Sequence, residues 1–485
     1  MAHGSHGRRC QPAGRQRVGP RGGQRVARLR RAAQQQEPSA FAALLDRQEV
    51  ERVFEDHRVA WREKVFTPLV TLYAFLDQVL SPDGSCRAAV ARVLVRLVGA
   101  GEPACSANTG GYCHARQRLP EAVPQALMQQ VGRRLYQTCA GDNPKGLLRG
   151  RTIKIVDGST LSMPDTPANQ GVYPQARTQK PGLGFPIARI LALFCLYSGA
   201  VVDAAMGPYR GKQTGENALF RGLLPSLKRG DVLAGDCGFG SYWNFAMLGQ
   251  RGVDAIFPLH QCRPEDFRRG RRLGKEDRLV TWRKPRQRPE WMDEPTYQSM
   301  PEQLTLRQVR VHINIPGFRV QTLTLVTTLV DSNLYPKVEL AQVYHGRWHA
   351  ELDLRSLKSA MGMDVLRGKS PSMVHKEFWM HLLAYNLIRT VMAQAAAAQR
   401  CPPRQISFTG AWQTLHAFAP LAATATGEPR LYAALLQAIA THRVGDRPNR
   451  VEPRAVKRRP KPHALLTKPR EKARNRLYLR KLEVR

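Results

Sequence analysis

The sequence contains no uninterrupted apolar run long enough to cross a bilayer. Its longest apolar stretch, Ile187 to Val202, carries Arg189 and centres on Ser198-Gly199, which suits a two-stranded hairpin better than the ~20 apolar residues of a spanning helix. The nine cysteines include no C-x-x-C pair, so the common zinc-site spacing is missing, and an odd, scattered set of thiols fits a reducing cytoplasm. The first residues lack the apolar segment of a secretory signal. Acid is scarce as well: 38 Asp+Glu stand against 75 Lys+Arg in 485 residues, a formal net charge of +37. That excess is far beyond what solubility requires and points to a polyanionic partner. Charge alone would equally suit a ribosomal or membrane-surface scaffold, but the length leaves room for roughly two to four domains and a sizeable core.

Organisation along the chain follows from composition and periodicity. Residues 1–36 hold nine arginines and no acid and read as a disordered basic segment. Residues 37–150 read as a helical DNA-binding domain, with helices expected at Trp61–Val79, Arg87–Val98 and Glu121–Thr138. Within it, Arg87–Val98, a Gly-Ala-Gly-Glu-Pro break and Ser106–Leu119 suggest a helix, turn and second helix. Asn108, Thr109, Tyr112, His114, Arg116 and Arg118 would face outward from that second helix, as in a recognition helix. From residue 151 the order changes to strand, hairpin, helix, strand, helix and strand: Thr152–Asp157, Ile187–Ala204, Glu216–Leu227, Val232–Asp236, a helix from Tyr242, and Asp254-Ala-Ile-Phe-Pro. Strand-like Gln308–Ile315 and Arg319–Val330 follow a charge-rich stretch. A long helix is expected over Glu377–Ala398, another over Leu431–Thr441, and residues 443–485 read as a basic, phosphate-seeking tail.

The densest chemistry lies in Tyr344-His-Gly-Arg347-Trp-His-Ala-Glu351-Leu-Asp-Leu-Arg-Ser-Leu-Lys358. On a regular helix, at ~100° per residue, Arg347, Glu351 and Lys358 fall within ~60° of Tyr344, so a hydroxyl, two cations and a carboxylate share one stripe. Two apolar runs, Thr152-Ile-Lys-Ile-Val-Asp157-Gly and Asp231-Val-Leu-Ala-Gly-Asp236-Cys-Gly, each end in an aspartate, as buried strands that deliver an acid at the C-terminal edge of a sheet. Asp157, Asp236 and Glu351 together make a set of hard oxygen donors suited to Mg²⁺ or Mn²⁺. Taken singly, each aspartate after its strand is a turn residue, Tyr344 a core aromatic, and Arg347 or Lys358 a solvated charge. It is the joint spacing that favours a site.

These residues resemble the Y-x2-R-x3-E-x6-K signature and the two catalytic aspartates of DDE transposases of the IS-four insertion-sequence family. Asp157-Gly-Ser-Thr-Leu-Ser-Met-Pro, Gly211-Lys-Gln-Thr-Gly-Glu-Asn, Ser106-Ala-Asn-Thr-Gly-Gly-Tyr and Arg447-Pro-Asn-Arg-Val-Glu-Pro-Arg extend the likeness from about residue 50 to the tail. The resemblance implies an α/β fold: a ribonuclease-H-like catalytic core over residues 151–365 with a β-rich insertion at about 259–320, plus helical N-terminal and C-terminal regions, the latter at 366–442. It implies cleavage of an element's terminal inverted repeats and joining to target DNA, with two Mg²⁺ or Mn²⁺ ions held by Asp157, Asp236 and Glu351. Tyr344, Arg347 and Lys358 would handle phosphates, Trp348 would stack on a base or pack inward, and Arg116 and Arg118 would contact DNA. Double-stranded DNA, a homodimer in the DNA complex and a cytoplasmic, nucleoid-associated bacterial location are further expectations. A non-catalytic DNA-binding or regulatory derivative, or a related nuclease, is the alternative. Some relatives stabilise a DNA hairpin with an aromatic in the strand before the signature helix; residues 321–330 contain none, so Trp282 or Trp291 would have to substitute. Asp165, Asp203, Asp254, Asp353 and Glu216 read as turn, cap or surface acids, with Glu216 the one most apt to support the site.

Overall fold

The computed structural model describes residues 44–59, 65–99, 101, 104–140, 146–313, 322–422, 429–445 and 465–475. The expected disordered segment 1–36, the start of the Trp61 helix and most of the tail lie outside the described residues. Among the described residues, five helices come first: α1 (Arg47–Asp56), α2 (Pro68–Leu80), α3 (Cys86–Gly99), α4 (Gly110–Arg118) and α5 (Ala122–Ala140). Pro68 and Thr67 set the start of α2. Proline costs nothing at a first helical position, and the threonine hydroxyl accepts from Val70 N–H at 3.3 Å.

A nine-stranded sheet follows, in the order β3-β2-β1-β4-β5-β9-β8-β7-β6. Its strands are β1 (Ile153–Ser162), β2 (Ile187–Cys195), β3 (Val201–Pro208), β4 (Val232–Ala234), β5 (Asp254–Pro258), β6 (Arg271–Gly274), β7 (Asp277–Arg283), β8 (Gln303–His312) and β9 (Thr322–Thr327). Between them lie α6 (Pro167–Val172), α7 (Glu216–Leu223), α8 (Tyr242–Gln250) and α9 (Glu294–Ser299). β1, β2 and β3 are antiparallel neighbours, whereas β4 and β5 run parallel to β1. The strands expected in the 259–330 interval do not form a separate body: β9 pairs with β5, and β8, β7 and β6 extend the same sheet outward. A buried bidentate pair, Arg307 Nε and Nη2 to Asp277 at 2.8 and 2.6 Å, ties β8 to β7.

The central strands are apolar on both faces because both are covered. Ile153, Ile155, Ile190 and Phe194 face one core, shared with the helices that follow β9, while Val156, Leu191 and Leu193 face a second core under α7 and α8. The following helices are α10 (Lys337–Gly346), α11 (Trp348–Arg355), α12 (Pro371–Ala398), α13 (Phe408–Ala422) and α14 (Pro429–Thr441), with a π-helical turn at Ser356–Ala360 after α11. α12 is buried around most of its girth, as a helix wrapped by protein must be. Helices α1 and α13 were not anticipated from the sequence.

The N-terminal helices share the main core. Leu72, Leu76, Leu127 and Val131 belong to the same apolar cluster as Ile155, Phe378 and Leu382. At Gly132 of α5 a Cβ would stand 2.2 Å from Val201 O, so only glycine lets the helix lie directly on β3. Fully buried Asn386 of α12 donates to Met128 O at 3.2 Å and Val201 O at 2.8 Å and accepts from Val201 N–H at 2.8 Å, joining three elements through one amide.

Candidate active site

β1 and β4 pair with Ile153 opposite Val232 and Ile155 opposite Ala234. The same offset brings Asp157 level with Asp236, two residues beyond the end of β4. There the chain after β4 turns away into the 3₁₀ turn Cys237–Phe239, which Asp236 caps by accepting Gly238 N–H at 2.8 Å. β1, expected to end at Asp157, instead continues to Ser162, because antiparallel pairing with β2 persists as far as Ser162 opposite Ile187. A strand that stops beside one that goes on leaves a notch, and both carboxylates stand at it.

The signature segment crosses β1 beside this notch. It is not the regular helix that the sequence suggests. At the α10–α11 junction the Arg347 N–H is shared between Val343 O (3.2 Å) and Tyr344 O (3.1 Å), and Ala350 N–H donates to Arg347 O at 3.0 Å, a local tightening. After α11 the coil widens, with Met361 N–H bonded to Ser356 O at 3.1 Å. Such π turns often sit at functional sites. Here it carries Lys358, whose ammonium donates to Ser159 Oγ and Thr160 O, both at 2.9 Å, pinning the segment to β1.

The guanidinium of Arg347 lies between two of the carboxylates: Nη2 donates to Glu351 Oε1 at 3.1 Å, and Nη1 is 4.0 Å from Asp157 Oδ2. Its Cζ is 5.6 Å from the centre of the Tyr344 ring. Burial raises the Tyr344 phenol, against the pull of Arg347, with Asp236 and Cys237 adding to the rise. Burial likewise pushes the Asp157 carboxyl up to about 6; Arg347 and the Gly158 N–H oppose this, while Glu351 and Asp236 reinforce it. The structure therefore brings Tyr344, Arg347, Glu351, Asp157 and Asp236 into one neighbourhood, with Lys358 two residues along β1.

The raised Asp157 pKa has a stability consequence whose sign is fixed. The folded chain holds this proton more tightly than the unfolded chain, whose aspartates titrate near ~3.9. Between about pH 4 and 6 the folded state thus binds more protons, and stability falls as pH rises, levelling above about 6. In a metal chelator, the denaturation midpoint of the wild-type chain is expected to drop relative to Asp157→Asn across that window. Parallel pH profiles for the two proteins would contradict it.

The donor set suits a hard divalent cation: three carboxylates, one of them a half-buried aspartate whose charge is incompletely compensated. Among the described residues, however, no group of three or more His, Cys, Asp or Glu is already drawn together closely enough to hold a metal ion. Like charges keep apart without a cation between them, and Arg347 spaces Glu351 from Asp157.

Other expected site residues fall differently. Trp348 is 38% exposed, on the outer side of α11, and Arg118 is exposed on α4. Tyr112 and Arg116 do not face outward. Tyr112 is fully buried and donates to Gln78 Oε1 at 2.8 Å. The Arg116 guanidinium donates to the same oxygen at 3.0 Å and to Cys86 Sγ at 3.2 Å, lying over the Phe75 and Tyr112 rings. Arg116 is thus a brace between α2, α3 and α4, because the small α4 must bury one side to pack at all. Trp282 is buried against Phe245 beneath Arg263, and Trp291 packs on the Arg221 guanidinium at 4.0 Å. Asp203 and Asp353 are buried rather than superficial. The position of Asp353, three residues after Ala350 and four before Leu357 on the inward stripe of the segment, was the available clue.

Residues 148–387, from before β1 into α12, match the family described as Transposase DDE domain. Asp157, Asp236 and Glu351 all lie within that span. Over 354 residues the chain is 27% identical to the transposase InsG for insertion sequence element IS4 of Escherichia coli strain K12, covering 71% of this chain and 76% of the relative. The chain belongs to the DDE transposases of the IS4 family. A cryo-EM structure of the piggyBac transposase synaptic complex with hairpin DNA aligns over 80% of this chain and 81% of that one, at 10% identity and a TM-score of 0.39. For this member of the family, no helix among the described residues is long and apolar enough to cross a membrane.

Proposed function

We propose that this chain cuts DNA at the terminal inverted repeats of its insertion sequence and joins the freed ends to target duplex, using a ribonuclease-H-like core. The observation that carries the proposal is the level placement of Asp157 and Asp236 at the notch between β1 and β4, with Arg347 and Glu351 laid over it. The sheet order, three antiparallel strands followed by two parallel ones, supports the same core.

Asp157, Asp236 and Glu351 would hold two Mg²⁺ or Mn²⁺ ions. When bound, such a pair supplies activation of a water or DNA 3′-hydroxyl and stabilisation of the leaving oxygen. The protein's own groups do the rest. Arg347, already aimed at the notch, exchanges carboxylate partners for a phosphate of the scissile strand, for which its planar fork is suited. Lys358 marks a second phosphate beyond Ser159, and the Tyr344 hydroxyl orients the strand. The excess of basic residues supplies salt-sensitive affinity for duplex DNA. Two element ends must be held together, so a homodimer on DNA is part of the proposal, as is work in the bacterial cytoplasm at the nucleoid.

The test is incubation of the full chain with duplex carrying the element end, a target plasmid and Mg²⁺. Cleavage at the end followed by joined product is expected. Cleavage without joining would make it a nuclease, and end-specific binding without cleavage a regulatory derivative. In the same assay Arg347→Lys, which keeps the charge but loses the fork, is expected to fall roughly 10- to 100-fold, equivalent to about 1.4–2.7 kcal/mol. Full activity in Arg347→Lys would mean that position contributes charge alone.

A further inference from the structure

The stretch Gly211-Lys-Gln-Thr-Gly-Glu216-Asn217 stands out in the sequence, and nothing in the mechanism above uses it. Glu216 opens α7, on the face of β1 opposite the signature helix, since side chains alternate along a strand and Gly158 points away from the Asp157 side. A Cβ at Gly158 would stand 2.7 Å from Glu216 Oε1 and 2.9 Å from its Cδ. The glutamate carboxylate therefore occupies the space that any other residue next to Asp157 would fill. Burial and then the charge of Asp236 push its carboxyl up, and Arg189 on β2 offers a single contact at 3.5 Å. Asn217, the next residue, donates to Gly238 O at 3.0 Å and accepts from Asn244 Nδ2 at 2.7 Å, while Asn244 holds Phe239 O at 2.9 Å. One turn of helix thus presses a carboxylate against the β1 acid strand and clamps the turn that Asp236 caps.

An ion pair with Arg189 does not account for this placement. A single, partly exposed contact of that length contributes little, while crowding a further carboxylate toward Asp157 and Asp236 is unfavourable without a cation. With the acids ionised, the four carboxylates of Asp157, Asp236, Glu351 and Glu216 still outnumber the three nearby cations Arg189, Arg347 and Lys358.

We propose that Glu216 is a positioning residue for the active site, fixing through Asp236 and the β1 backbone how tightly a divalent cation is held between β1 and β4. The proposal rests on the reading of Asp157, Asp236 and Glu351 as the metal-holding carboxylates. Glu216 acts from the rear of the notch, as a carboxylate that orients the ligand strand and restores charge balance once the cation arrives.

The experiment is Mn²⁺ binding to the full-length chain without DNA, read by electron paramagnetic resonance of free Mn²⁺, alongside metal-free thermal midpoints. Glu216→Gln is expected to raise the Mn²⁺ Kd about 10- to 100-fold, the usual loss when a supporting carboxylate is removed, while the metal-free midpoint does not fall, since the like-charge crowding is relieved. Glu216→Asp, which keeps the charge, should retain more affinity than Glu216→Gln, an ordering that a merely structural residue would not produce. Gly158→Ala should weaken Mn²⁺ in the same direction by displacing the carboxylate, and combining it with Glu216→Gln should add little, because both changes act on one interaction. Wild-type affinity in Glu216→Gln, or equal affinities in the Gln and Asp variants, overturns the proposal. Asp157→Asn in the same titration separates the two levels: loss there with no change in Glu216→Gln removes Glu216 alone, whereas no change in either variant removes the carboxylate site itself.

Discussion

Asp157→Asn is expected to abolish DNA cleavage, a fall on the order of 10³-fold or more, since losing several kcal/mol of transition-state charge stabilisation costs about a factor of ten per 1.36 kcal/mol. The swap is near-isosteric, so binding to the element end should persist, measured by gel shift in the same buffer. Asp157 is the strongest of the three carboxylate tests because it sits mid-strand, hydrogen-bonded to its neighbouring Gly158 N–H at 2.9 Å and flanked by Arg347, where relaxation cannot bring a replacement ligand. Asp236→Asn and Glu351→Gln should follow it. Near-wild-type cleavage in any of the three would remove that residue from the site.

A second large effect is expected on stability, from the buried side of the signature segment. Asp353, wholly buried two residues after Glu351, is held by Arg389 of α12 and by Arg404, whose Nη1 lies 2.7 Å from both carboxylate oxygens. Arg404 also donates to Leu196 O and Cys195 O, each at 2.9 Å, and Arg389 donates to the Tyr385 hydroxyl at 2.8 Å. One carboxylate therefore fastens the signature segment to the end of β2, to α12 and to the segment beyond α12. Asp353→Ala leaves two guanidiniums buried against each other, and removing one partner of such a network typically costs about 3–5 kcal/mol. Denaturant unfolding should show a midpoint shift of that size, a large share of the ~5–15 kcal/mol that usually separates folded from unfolded chains. A change below about 1 kcal/mol, the range of a surface ion pair, would mean that the triad carries no net stability.

The same residue shows where linear reading stops. Tyr344, Arg347, Glu351 and Lys358 were legible because four side-chain types at fixed spacings in one short segment constrain each other locally. Asp157 and Asp236 were legible because each follows a short apolar run with a glycine close by, and β5 was placed residue for residue at Asp254–Pro258. All of these are short-range regularities of period and composition. By itself the sequence determined the strong positive charge, the order of the central elements, the acids to watch and the membership of a transposase family.

Tertiary structure decided what depends on partners distant in the chain. β1 passes Asp157 because β2 is there to pair with it, and Asp353 is buried because Arg389 and Arg404 come to meet it. Tyr112 and Arg116 turn inward because Gln78, 34 and 38 residues earlier, accepts both. The N-terminal helices join the main core because Gly132 and Asn386 let α5 and α12 close on β3. Propensity and periodicity act over a few residues, whereas burial and charge compensation are settled only when segments far apart in sequence share one volume.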